Sequence, residues 1–112
     1  MIDIYFVDWQ ISDMTDADLF RALGNDRRLQ ILAWLKDPTT HFPPQRDGDL
    51  IEDGVCGQLI AEKLGINPST LSEHMRVLQG SDLVTAKRIK QWTFYRRNTE
   101  RLQTLASIVD GI

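Results

Sequence analysis

Apolar residues recur at helical spacing in five places along the chain, and the breaks between them are marked by glycine, proline or asparagine. Leu19, Phe20 and Leu23 precede Gly24, a natural C-terminal stop, and predict a first short helix. Asn25 or Asp26 can cap a second helix, whose Leu29, Ile31, Leu32 and Leu35 form a stripe that ends before Pro38. Leu59, Ile60 and Leu64 give a third helix an apolar face up to Gly65. Asn67-Pro68 then supplies the cap and first turn of another, running to about Gln79 with Leu71, Met75 and Leu78 inward. Residues 84–89 and 92–97 are β-branched, aromatic and basic on either side of Lys90-Gln91, which predicts a hairpin. Asn98 or Thr99 caps a closing helix over 99–112, with Leu102, Leu105, Val109 and Ile112 in one stripe.

Two segments resist this reading. In residues 1–14, Ile2, Ile4 and Phe6 alternate as in a strand, while Tyr5, Val7 and Trp9 fill the other parity; strand, helix and ordered arm all stay open. Residues 38–55 hold Pro38, Pro43, Pro44, Gly48 and Gly54 among Asp47, Asp49, Glu52 and Asp53, and read as a long loop. Phe42, Leu50 and Ile51 can pin it to the body, so an ordered excursion is expected. The result is one mostly α domain over 1–112 with a small β-hairpin.

Composition agrees with a single folded domain: 112 residues, 42% apolar and 26% charged. No run approaches a membrane-spanning length, and the N-terminus lacks signal-peptide features, so a cytoplasmic protein without a membrane partner is expected. Cys56 is the single cysteine, which excludes an intrachain disulfide and any C-x-x-C motif. It is read as a buried structural thiol, with a redox or metal role as the alternative. The net charge of −3 conceals a reversal. Residues 1–66 carry twelve acidic against six basic side chains, whereas residues 67–112 carry four against seven. Charge segregated in this way suggests a face for a polyanion.

The spacing of Ala61, Gly65 and Leu71 fits a helix-turn-helix over 57–79: a small residue where two helices cross, a glycine at the turn, and an apolar anchor in the second helix. On a helical wheel, Ser69, Ser72, Glu73 and Arg76 point away from the inner stripe, with Thr70 on one flank. Small hydroxyls at a helix N-terminus let the backbone approach DNA, so this face suits the major groove. Glu73 can accept from a cytosine amino group or pair with Arg76. His74 lies nearer the inner stripe, as a half-buried hydrogen-bonding histidine would, with base reading as the alternative.

The runs Leu19 to Gly24, Arg28 to Leu32, Leu64 to Leu78 and Trp92 to Arg96 resemble the ArsR/SmtB family of dimeric winged helix-turn-helix repressors over roughly residues 19–98. The resemblance implies that Ser69, Thr70, Ser72, Glu73, His74 and Arg76 stand on the recognition helix. It implies that residues 84–97 form a wing, whose Lys87, Arg88, Lys90, Gln91, Arg96 and Arg97 would meet DNA, and that the first and last helices make a homodimer through Leu19, Leu102, Leu105, Val109 and Ile112. Metal-sensing members carry Cys-x-Cys where this chain has Cys56 and Gln58, so no metal site and no cofactor are expected. The wing turn has Lys90 where glycine is common.

A transcriptional regulator, a repressor on a pseudo-palindromic operator, follows from these features. Overall acidity and Glu73 favour a second reading, a winged-helix protein-interaction module that does not bind DNA. An enzyme is not expected, because no nucleophile-base motif surrounds His41, Cys56 or His74. An unidentified small-molecule or redox effector stays open.

Overall fold

The computed structural model describes residues 15–112, so residues 1–14, for which strand, helix and ordered arm stay open, lie outside the described residues. Helix α1 (Asp16–Leu23) opens on a capping box: the Thr15 hydroxyl accepts from the Asp18 N–H at 3.1 Å and the Asp18 carboxylate accepts from the Thr15 N–H at 3.3 Å. Asn25 caps α2 (Asp26–Lys36), accepting the Arg28 N–H at 3.1 Å. Asn67 caps α5 (Pro68–Gly80), and Asn98 caps α6 (Thr99–Asp110). Three asparagine caps are thus placed where the sequence marks breaks.

Between α2 and α5 the chain differs from expectation. The segment read as loop over 38–55 begins with a four-residue helix, α3 (Pro38–His41), started by proline at its first position, and ends in a strand, β1 (Val55–Cys56). Both are too short to show a period, so no pattern could mark them. Helix α4 (Gly57–Leu64) follows directly and stops at Gly65, whose φ of 72° and ψ of 33° are left-handed. Strands β2 (Val84–Ile89) and β3 (Trp92–Arg97) form the expected hairpin, closing with Ile89 opposite Trp92. The sheet is three-stranded and antiparallel in the order β1-β3-β2, with Val55 opposite Tyr95 and Cys56 opposite Phe94. Cys56 is half-buried rather than buried, because it lies at the sheet edge.

The core gathers Leu19, Ile31, Leu35, Ile60, Leu71, Met75, Leu78, Leu83, Val84 and Leu105. Two expected stripes are trimmed. Leu29 remains 48% exposed, and α2 is held by Ile31, Leu32 and Leu35 instead. On α6, Leu105 is 4% exposed and packs into the protomer's own core, as does Leu19 on α1. Leu102 is half-buried against that core, and the outward apolar positions are Val109 and Ile112, 54% and 89% exposed. The expected dimer stripe is therefore split, since an α-helix seated on a core turns Leu105 inward and leaves the end of the stripe to solvent. No helix among the described residues is long and apolar enough to cross a membrane.

Candidate nucleic-acid interface

Helices α4 and α5 cross where Ala61 is buried, and Gly65 makes the turn. Leu71, Met75 and Leu78 seat α5 on the core, which leaves Ser69, Ser72, Glu73 and Arg76 exposed and Thr70 half-buried. The N-terminus of α5 is prepared by its cap: Asn67 Oδ1 accepts the Thr70 N–H and the Ser69 hydroxyl, both at 2.8 Å. Ser69 keeps its acceptor lone pairs toward solvent, and the positive end of the helix dipole adds to the attraction for a phosphate. Glu73 and Arg76 form an ion pair on the helix surface. That is the intrahelical alternative of the two open for Glu73.

His74 is half-buried, as its wheel position implies, and Nδ1 lies 3.3 Å from Arg28 Nη1. Burial, followed by the nearby charges of Arg28 and Arg27, holds its pKa below the ordinary histidine value, while Glu73 opposes them. A neutral ring can accept the Arg28 proton, so the contact joins α5 to α2. Arg28 opens one of the runs that carry the family resemblance, but nothing in its sequence position assigns it a structural role. Its Nε donates to the Ala22 carbonyl at 2.6 Å and Nη2 to the Arg21 carbonyl at 3.2 Å. One side chain therefore closes the C-terminal end of α1 and braces the recognition helix.

The hairpin carries five further cations, Lys87, Arg88, Lys90, Arg96 and Arg97. Lys90 occupies the left-handed region at φ 56°, so the two-residue turn closes without glycine, and Gln91 beside it is exposed. Arg88 Nε donates to the Lys90 carbonyl at 3.3 Å, and Arg97 donates to the Thr99 hydroxyl at 3.2 Å. Neither carries an ion pair among the described residues. The remaining three cations meet the loop that precedes β1. Lys87 Nζ is 2.5 Å from Asp53 Oδ1, Lys90 Nζ is 3.1 Å from Asp47 Oδ1, and Arg96 donates to the Glu52 carbonyl at 3.1 Å.

This loop is a built element. Gln45 Nε2 donates to the Gly48 and Gly54 carbonyls at 3.2 and 2.9 Å, and Gln45 Oε1 accepts the Cys56 N–H at 2.6 Å. Asp49 accepts the N–H groups of Ile51 and Glu52, while Asp53 accepts that of Asp49. Glycine is required where the loop meets β3: a Cβ on Gly48 would sit 2.8 Å from the Phe94 ring, and one on Gly54, at φ 106°, would sit 2.4 Å from the Tyr95 carbonyl oxygen. Among the described residues, no three His, Cys, Asp or Glu side chains are grouped as metal ligands would be.

Comparison with known proteins gives this geometry its context. The family model for "Bacterial regulatory protein, arsR family" matches residues 56–86, from the N-cap of α4 into β2. The uncharacterized HTH-type transcriptional regulator YbzH of Bacillus subtilis (strain 168) is 40% identical over 96 residues, covering 86% of this chain and 96% of that protein. Among solved structures, the homodimeric winged helix-turn-helix DNA-binding domain of Mb0332 from Mycobacterium bovis, a possible ArsR-family transcriptional regulator, is 28% identical with a TM-score of 0.58, covering 82% of this chain and 72% of that one. HlyU from Vibrio cholerae N16961 is 26% identical with a TM-score of 0.57, covering 82% and 85%. With its recognition helix, hairpin and element order in place, the chain belongs to the arsR family of bacterial regulatory proteins and is a DNA-binding transcriptional regulator of winged helix-turn-helix fold.

Proposed function

We propose that this regulator is a cytoplasmic homodimeric repressor whose two α5 helices enter successive major grooves of a pseudo-palindromic operator. The observation that carries the reading is the exposed polar face of α5, with Ser69, Ser72, Glu73 and Arg76 exposed and Thr70 half-buried at its flank, on a helix whose opposite side is locked into the core. The wing supplies phosphate contacts through Lys87, Arg88, Lys90, Arg96 and Arg97, with Gln91 at its tip, and His74 acts by bracing α5. Dimerisation uses the outward surfaces of α1 and α6, where Val109 and Ile112 are exposed; Leu19 and Leu105 serve beneath that surface by shaping it. The homodimeric state of the Mycobacterium bovis domain supports the assembly.

The test is a footprint of the protein on the DNA upstream of its own gene, combined with a reporter fused to that DNA. Two protected half-sites about one helical turn apart, and derepression when the gene is removed, are expected. A monomer in sedimentation at micromolar concentration, or a reporter that falls when the gene is removed, would overturn the dimer or the repressor assignment respectively.

A further inference from the structure

The ordered acidic loop sits on the cations that a wing would use for DNA. We propose that residues 42–54 are a built-in competitor for the DNA backbone: Asp53 and Asp47 occupy Lys87 and Lys90 as phosphates would, and so hold down the affinity of the free protein for DNA. The inference rests on the DNA-binding reading and adds a restraint to it.

Three observations support it. Both carboxylates reach across the fold to their lysines, at 2.5 and 3.1 Å. The loop is fixed in that place by Gln45, and by Gly48 and Gly54 packed on β3. The backbone N–H of Asp49, and then Lys87, hold the Asp53 carboxyl below its ordinary pKa, so its charge persists. The lysines remain largely exposed, at 58% and 68%. Their pairs are therefore weak enough to open when a phosphate approaches, and each restrains binding only modestly. Because a duplex presents phosphates at every sequence, the restraint acts first on binding to DNA in general.

The experiment measures affinity for a fluorescent duplex of mixed sequence across a salt series. Asp53→Asn and Asp47→Asn remove the charge while leaving a side-chain oxygen, and in Asp53→Asn that oxygen can still accept the Asp49 N–H. Each is expected to tighten binding about two- to fivefold at low salt, with convergence on wild type at high salt. Glu52→Gln removes a neighbouring charge whose carboxylate has no ion pair among the described residues, and is expected to do less. The decisive measurement is a double-mutant cycle: in a Lys87→Met background the gain from Asp53→Asn should vanish. Equal tightening in both backgrounds would mean long-range repulsion only and overturn the inference. So would unchanged affinity in variants whose thermal melting matches wild type. Failure of wild type and all variants to bind any duplex would instead overturn the DNA-binding reading itself, and the inference with it.

Discussion

The exposed face of α5 and the basic wing carry similar loads of polar side chains, and the fold partners them in opposite ways. On α5 the partners are local: Ser69 bonds to Asn67 and Arg76 pairs with Glu73, two and three residues away. On the wing Arg88 and Arg97 also bond two residues away, but Lys87, Lys90 and Arg96 reach partners 34, 43 and 44 residues earlier in the chain. A locally partnered face is set by the helix and its cap, and survives changes elsewhere. A remotely partnered one depends on a loop being held in place, and its effective charge can change when the loop moves.

The strongest way to break this contrast is Gly54→Ala. The new Cβ would need to occupy space 2.4 Å from the Tyr95 carbonyl oxygen, on a backbone at φ 106°. The nearest atoms belong to the Tyr95 backbone, which cannot yield as a flexible side-chain end would, so a stability loss of about 3 kcal/mol or detachment of the loop is expected. Urea unfolding measures the first, and proteolysis within 42–54 the second. The helix side provides the control: a Cβ on Gly65 meets nothing within 4 Å. Gly65→Ala carries only the left-handed penalty, about 1 kcal/mol. A comparable loss from both changes would contradict the close approach of loop and β3.

Next in size are the effects on DNA. Ser69→Ala or Thr70→Ala should reduce discrimination at particular base pairs by about 1–3 kcal/mol, with little change in salt dependence. Arg88→Ala should instead weaken binding to operator and random duplex alike, and lower the salt slope by about one unit, because Arg88 has no ion pair to give up. Titrations on both duplexes over a salt series separate the two. Uniform losses for all three variants would remove base readout from α5.

The same contrast decides what the sequence could reveal. Helices α2, α4, α5 and α6 and the hairpin are legible because each signal sits within one element: a period, a cap, a turn. The half-buried position of His74 is legible from its place beside the inner stripe on the wheel, and the Glu73–Arg76 pair from their spacing of three. The acidic loop was legible as acidic and ordered, but its contacts were not, since nothing in a linear pattern links Asp53 to Lys87. Leu105 shows the limit from the other side. Its stripe is visible, yet whether a stripe faces the protomer's own core or a partner depends on how α6 is docked, which periodicity does not encode. The bracing role of Arg28 is hidden for the same reason, as its three acceptors belong to α1 and α5.

Acidification gives the smallest effect and the sharpest separation of the two regions. The pKa of His74 is lowered in the folded protein, chiefly by burial and then by Arg28. Its contribution to stability is therefore complete above the unfolded value of about 6.5, and is lost as the pH falls from there through the lower folded value, because the unfolded chain takes up the proton first. Asp53 is also lowered, by the Asp49 N–H and then Lys87. Its contribution persists down to its ordinary 3.8 and is lost only as the pH falls further through the folded value. The brace between α2 and α5 should thus weaken as the pH falls below about 6.5, while the loop still holds the wing. Stability followed by urea unfolding should decline over that range in wild type and decline less in His74→Asn. Asp53→Asn should leave that decline intact. An unchanged decline in His74→Asn would assign it to another group and separate His74 from the bracing of α5.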